Sequence, residues 1–308
     1  MTESERPQLW EFWERTKREL AQTALEPRQE HLPEHSTAHL LAYRVSFASL
    51  GGVRVSGYYT HPMRNGEVRL PGLVTFPGYG GAVSLPLEEA ARGYACLALD
   101  PRGQGQSAQA YPMERGKLTH RPQDLWSCGL RGAYADALRG LDFLQTRPEV
   151  EGARLGVVGT SGGGGLTLAC ASIDDRPLVA AAHVPFGCRL VWAAQNVPTH
   201  PFREAGEYLE QHPASRDLIL DNYRYFDPLE LVVKLECPVI VSVGLKDDVC
   251  PASTIVPTYE RIGGGAPPAV GAPTAGIRAL VTYPDLVHAH SPDFHHHQWD
   301  WLATYLKP

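Results

Sequence analysis

Between residues 155 and 170 the chain reads LGVVGTSGGGGLTLAC, an apolar run followed by a serine set among glycines and then a helix-like run. Glycine weakens strands and helices alike. Its concentration here means that the backbone turns through angles other residues resist, or that something approaches it closely. Either way the segment reads as strand, sharp turn and helix in immediate succession, and Ser161 at the turn is the residue to explain.

The rest of the chain supports a layered α/β fold. Short apolar β-type runs occur at Leu73 to Phe76, Tyr94 to Leu99, Arg154 to Val158, Val179 to Val184, Pro238 to Val243 and Ile277 to Tyr283. Helix-like stretches separate most of them, notably Asp124 to Gln145, Gly163 to Ser172 and Phe294 to Leu306. Upstream, Arg44 to Ser49 and Val53 to Tyr59 flank Leu-Gly-Gly, a hairpin signal. An antiparallel start followed by alternation predicts a mostly parallel central sheet with helices on both faces. With 308 residues the expectation is one α/β domain over residues 1–308. An amphipathic helical extension precedes it at about 8–22, and a small cap-like insertion interrupts it at about 189–231. The glycine- and proline-rich stretch 263–276 reads as a flexible loop.

Composition narrows the partners. Hydrophobic residues make up 43% and charged residues 20%, with a net charge of −6, so no basic footprint for nucleic acid is present. The polar N-terminus and the lack of a long apolar run argue for a cytoplasmic protein with no membrane partner. The six cysteines show no C-x-x-C pair and read as buried hydrophobes.

Gly159-Thr160-Ser161-Gly162-Gly163 fits G-x-S-x-G, the nucleophile elbow that lifts a serine hydroxyl above the sheet at the start of a helix. A phosphate loop is the weaker reading, because no lysine follows the glycines, and a plain tight turn with a capping serine is the bland one. A nucleophilic serine needs a base and an orienting carboxylate, which in this arrangement follow at later strand ends in the order Ser, Asp, His. One run ends in Lys-Asp-Asp, offering Asp247 or Asp248; the next ends in Pro-Asp-Leu-Val-His-Ala-His, offering His288 and His290. Its position makes His288 the candidate base. His183, in an apolar run, reads as a core residue, and His295 to His297 read as a solvated helix start, since consecutive helical residues point apart. Acyl transfer also needs oxyanion donors. The Gly162 N–H is one candidate, and the Tyr79 N–H in the turn Pro77-Gly-Tyr-Gly-Gly is the other.

The segment Asp100-Pro-Arg-Gly-Gln-Gly-Gln-Ser resembles the RGQ motif of carbohydrate esterase family seven, the acetyl xylan esterases and cephalosporin C deacetylases. Phe12-Trp13, Phe76-Pro-Gly-Tyr, Val184-Pro-Phe, Gly244-Leu-Lys-Asp-Asp-Val-Cys-Pro-Ala-Ser-Thr and Tyr283-Pro-Asp-Leu-Val-His agree with it. The resemblance implies an α/β-hydrolase that removes acetyl groups from sugars or similar alcohols, with no cofactor or metal, as a homo-oligomer. It also implies Asp247 as the acid, His288 as the base and Tyr79 as an oxyanion donor, with Arg102 and Gln104 supporting the site. Gly162 and Ala289 stand where the family has Gln and Glu, and Pro77 where histidine is common. An acidic partner for Arg102 and Gln104 is expected to be missing. If the helix start can hold the new residue, a side chain at position 162 is expected to leave the main-chain donor in place, so that Gly162→Gln changes kcat/KM by less than about tenfold. The cap aromatics Trp192, Phe202, Tyr208, Tyr223, Tyr225 and Phe226 form either a pocket wall or the cap's own core.

These residues predict a serine esterase working through an acyl-enzyme on a small acetylated substrate. A serine peptidase of the prolyl oligopeptidase type shares the elbow, but this chain leaves no room for a propeller. A non-catalytic binder on the same scaffold is the other alternative.

Overall fold

The apolar runs become the strands of one sheet, and the computed structural model describes residues 5–63, 68–113, 116–265 and 277–307 around it. The strands are β1 (Arg28–His31), β2 (Leu40–Ala48), β3 (Arg54–Pro62), β4 (Leu70–Phe76), β5 (Ala95–Asp100), β6 (Val150–Thr160), β7 (Pro177–His183), β8 (Val239–Gly244) and β9 (Arg278–Tyr283). They lie in the order β1-β2-β3-β5-β4-β6-β7-β8-β9. Pairings from β1 to β5 through β3 are antiparallel, and those from β5 through β4 to β9 are parallel. The fold is an α/β-hydrolase fold, and its parallel strands all end at the same edge.

Ten helices accompany these strands among the described residues: α1 (Arg6–Ala21), α2 (Leu87–Ala91), α3 (Gly129–Gln145), α4 (Gly162–Ile173), α5 (Leu190–Asn196), α6 (Phe202–Gln211), α7 (Arg216–Tyr223), α8 (Pro228–Leu231), α9 (Ala252–Glu260) and α10 (Pro292–Tyr305). Side chains alternate across the pleat, so each strand feeds two cores. Val74, Leu97, Val157 and Val241 face the core shared with α1, α3 and α4, whereas Leu73, Cys96, Val158 and Ile240 face Phe294, Trp299 and Leu302 of α10.

Helix α1 buries Leu9, Phe12, Trp13, Thr16 and Leu20, a stripe at helical spacing. Trp13 stacks on Tyr134 of α3 at 5.7 Å and donates to the Tyr225 carbonyl at 3.0 Å, so the extension ties α3 to the interval 189–231. Each large apolar side chain buried this way contributes about 1.5–3 kcal/mol.

Three differences from the sequence reading have local causes. Strand β1, RQEH, is exposed throughout, so no apolar period marks it. Helix α3 starts at Gly129 rather than Asp124, because the Asp124 carboxylate takes the N–H groups of Trp126 and Ser127 and closes a turn instead. The interval 189–231 folds into four short helices, α5 to α8. Of the expected loop 263–276, residues 266–276 lie outside the described residues. No helix among the described residues is long and apolar enough to cross a membrane.

Candidate active site

Strand β6 and helix α4 meet at Ser161, which adopts φ 56°, ψ −118°, a conformation that a non-glycine residue holds only when its surroundings fix it. They do so here. The Ser161 N–H donates to the His183 carbonyl at 2.9 Å, and its own carbonyl accepts from Phe186 N at 2.8 Å and Gly165 N at 3.0 Å. The turn closes because of its glycines: a Cβ on residue 163 would stand 2.2 Å from the Phe76 carbonyl oxygen, and one on residue 159 would stand 2.4 Å from the Gly163 carbonyl carbon. That answers why glycine gathers between residues 159 and 163.

The loops after β8 and β9 supply the partners. His288 Nε2 lies 3.0 Å from Ser161 Oγ, and its Nδ1 lies 2.8 Å from Asp247 Oδ2. Asp247 Oδ1 accepts from Val249 N at 2.9 Å and Cys250 N at 2.8 Å. Its side chain is fully buried while the His288 ring is 24% exposed, so the carboxylate is fixed and the imidazole opens toward solvent. Asp248 is exposed, and its carbonyl accepts from Thr199 Oγ1. Of the two adjacent carboxylates, Asp247 is the one that meets the histidine. His290 points elsewhere, its ring 5.8 Å from that of His183. Burial pushes the Cys250 thiol well above its ordinary value, and the thiol hydrogen-bonds Ser161.

Two further supports hold this edge of the sheet. The Gln104 amide donates to the carbonyls of Gly78 and Gly81, both at 2.8 Å, clamping the turn on either side of Tyr79. Arg102, expected to lack an acidic partner, has one. Its guanidinium binds both oxygens of Asp136 on α3, at 2.9 and 2.8 Å, and its main-chain N–H donates to the same carboxylate at 2.8 Å. Asp136 stands 34 residues away in sequence, and only the packing of α3 under the β5 loop brings it there.

Gly162 corrects a second expectation. It is the first residue of α4, so its N–H has no helical acceptor. A Cβ there would stand 2.3 Å from Tyr79 N and 2.8 Å from Tyr79 Cα. Because these are main-chain atoms, a side chain at 162 requires the Tyr79 loop or the start of α4 to shift, and either movement disturbs the two N–H groups. Gly162→Ala is therefore expected to lower kcat/KM by about 10²-fold, the scale of losing one oxyanion donor. Steady-state kinetics alongside a thermal melt check this, and a loss below tenfold would show that the loop yields freely.

His183 is a satisfied core residue, and it also braces the segment that follows His288. Nδ1 meets Ser242 Oγ at 2.5 Å, while Nε2 accepts from Ser291 N at 3.1 Å and lies 3.2 Å from the Ala289 carbonyl oxygen. Desolvation lowers its pKa to about 4, so it is neutral at pH 7. The cap aromatics are mainly the cap's own core. Phe202, Tyr223 and Phe226 are buried, and Tyr225 packs on Phe12. Around the triple histidine run, His295 meets Trp299 Nε1 at 3.0 Å and Glu88 at 3.2 Å. Among the described residues, no group of three His, Cys, Asp or Glu is placed to hold a metal ion.

The same geometry has relatives. The family model described as acetyl xylan esterase matches residues 1–266. The chain belongs to the acetyl xylan esterase family. A curated protein of similar sequence, an acetyl esterase of Xylanibacter ruminicola, is 25% identical over 201 residues, 64% of this chain and 42% of that protein. The chain thus spans less than half the length of that relative. Among solved structures, an acetyl xylan esterase from Paenibacillus sp. R4 is 26% identical with a TM-score of 0.87, covering 99% of this chain and 100% of the other. Acetyl xylan esterase 1 from Thermoanaerobacterium sp. JW/SL YS485, 23% identical with a TM-score of 0.84, covers 96% of this chain and 93% of its own and shares the fold.

Sequence reasoning missed Asp136, Lys117 and Glu204. None sits in a motif, and each reaches the site only through the packing of α3, α6 and the segment before α3.

Proposed function

We propose that this chain is a serine esterase that removes acetyl groups from carbohydrates or similar small alcohols through an acyl-enzyme. The observation that carries the reading is the relay Ser161 Oγ, His288 Nε2, His288 Nδ1, Asp247 Oδ2, with spacings of 3.0 and 2.8 Å, in a member of the acetyl xylan esterase family. His288 Nε2 accepts the Ser161 proton as Oγ attacks the ester carbonyl. Asp247, an acceptor held by two main-chain N–H groups, keeps the proton on Nδ1 and stabilises the imidazolium. The Tyr79 and Gly162 N–H groups receive the oxyanion at the positive end of α4. His288 then protonates the leaving alcohol, and water activated by His288 releases acetate. Each step runs on this chain's own groups. Gln104 and Arg102 act indirectly, the first by holding the Tyr79 turn and the second by fixing the loop that carries Gln104.

Acetylated xylan oligosaccharides and 3-acetoxymethyl cephalosporins present the same acetyl ester and belong to the proposed substrate range. A cytoplasmic homo-oligomer is part of the reading, with the exposed Leu245 and Val287 beside Asp247 and His288 as apolar surface for a neighbouring copy; sedimentation would show the assembly. The cavity bordered by Tyr79 and Gly162 measures about 30 Å3, and that small volume beside the two oxyanion donors, with membership of the acetyl xylan esterase family, supports a preference for short acyl groups. Measured kcat/KM is expected to fall from acetyl through butyryl to octanoyl esters by about tenfold or more. A rise along that series, or faster turnover of a peptide anilide than of an acetyl ester, would overturn the reading.

A further inference from the structure

Lys117 is a lysine inside the protein, 7% exposed, at the inner wall of the cavity bordered by Tyr79 and Gly162. The remaining wall is largely apolar, including Leu118, Leu130, Leu166 and Phe186. An ammonium in such a place costs folding free energy that an aliphatic side chain of the same length would not. Its neighbours explain what it faces. Nζ lies 4.6 Å from the centroid of the Tyr79 ring. The Tyr79 hydroxyl accepts from Leu118 N at 3.0 Å and donates to Glu204 of α6, 3.2 Å from each carboxylate oxygen. Thr119 Oγ1 donates to the same carboxylate at 2.8 Å. The Glu204 carboxylate and the electron-rich ring of Tyr79 thus lie around Lys117, and Tyr79 is the residue whose main chain packs on Gly162.

We propose that Lys117 is a positioning residue of the oxyanion hole: its ammonium, over the Tyr79 ring and in electrostatic reach of Glu204, holds the Tyr79 main chain against Gly162. The inference rests on the acyl-transfer reading of the site and adds to it a dependence on charge. A cation over an aromatic face is attracted by the ring quadrupole, more strongly where water is excluded. The same cation offsets the partial burial of Glu204, which anchors the hydroxyl end of Tyr79. With the amide of Gln104 gripping the turn from the other side, Tyr79 is held at both its main chain and its side chain. Removing the charge loosens the side-chain end and lets Tyr79 N drift from the position that meets the oxyanion.

Burial lowers the Lys117 pKa to about 7, opposed by the charges of Glu204 on α6 and Asp136 on α3. Asp136 is already paired with Arg102, and the phenols of Tyr79 and Tyr134 are the other titratable groups at the cavity wall. Burial raises both phenols, so neither ionises near neutral pH. The ammonium is therefore lost as pH rises through about 7, and with it the hold on Tyr79. Stability runs the other way. The folded pKa lies below that of an unfolded lysine, about 10.4, so this residue's contribution is full above that value and is lost as pH falls through about 7.

The test uses the full chain and its Lys117→Met and Lys117→Arg variants, with kcat and KM for a short acetyl ester measured from pH 6 to 10 beside thermal melts. At pH 6, Lys117→Met is expected to have kcat about tenfold below wild type with KM unchanged and a higher Tm. Its kcat should lack the wild-type basic limb and meet the wild-type value near pH 9.5. A residue serving structure alone would lower Tm and kcat together by a factor independent of pH, and that outcome overturns the proposal. Should Lys117→Met not fold, Lys117→Arg decides: its permanent charge should abolish the basic limb, and an unchanged limb overturns the proposal. The rate of Ser161 phosphonylation by a fluorophosphonate over the same pH range reads the same dependence without an acyl substrate. Failure of wild type to cleave any acetyl ester would thus reject the substrate reading separately.

Discussion

Ser161→Ala is expected to lower kcat for an acetyl ester by about 10⁴-fold or more, with Tm within a few degrees of wild type. In the proposed reaction the hydroxyl is the atom that attacks, and the groups beside it do not replace it: burial raises the Cys250 thiol well above its ordinary value, and His288 is held by Asp247. Folding does not depend on that oxygen, because the turn is held by main-chain bonds from Ser161 to His183, Phe186 and Gly165. His288→Ala removes the proton acceptor and should cost a similar factor. The double variant should lose little more than the worse single one, since a nucleophile without its base and a base without its nucleophile are both idle. Residual activity belongs to substrate binding and the oxyanion donors, which neither change touches. Single-turnover kinetics with all three variants checks this, and losses that multiply in the double variant would show that the two residues act separately.

That a relay could be read from sequence at all follows from how a parallel sheet is built. Strands β4, β6, β8 and β9 run in one direction, so the loops after them meet at one edge however far apart they are in the chain. Apolar runs mark the strands, and the polar residues just beyond each run are therefore neighbours in space. Ser161, Asp247, His288 and Tyr79 were legible for that reason. The contacts that set their positions were not. Asp136 and Glu204 lie within helices among other charged residues, and nothing in their local pattern distinguishes a buried carboxylate from a solvated one. Lys117 looks like an ordinary surface lysine until Tyr79, Glu204 and α3 close over it. Gly162 was legible as a helix start, but its closeness to Tyr79 N belongs to the packing of two loops 83 residues apart. Edge strand β1 escaped for the opposite reason, since pairing with β2 alone leaves it exposed and without an apolar face.

The choice between two adjacent carboxylates gives the sharpest test of the relay. Asp247→Asn keeps the shape of the side chain, and its amide oxygen can still accept from Val249 N and Cys250 N. Its amide nitrogen is then turned toward His288 Nδ1, 2.8 Å from where the carboxylate oxygen stood. Two donors cannot share that bond, so the imidazole takes the tautomer with its proton on Nε2. In that form Nε2 faces Ser161 as a donor and cannot accept the proton of the attacking hydroxyl. Loss of the buried negative charge also removes what stabilises the imidazolium. The expected fall in kcat is about 10⁴-fold near neutral pH, with KM little changed, because the Asp247 side chain acts through His288 and not on the substrate itself. Asp248→Asn changes an exposed side chain and leaves the main-chain carbonyl that accepts from Thr199 Oγ1, so it should leave kcat within about threefold. Parallel kinetics of the two variants, with circular dichroism to confirm folding, decides the matter: equal losses, or a larger loss at 248, would mean that the Asp247 contact seen here does not orient the base during catalysis.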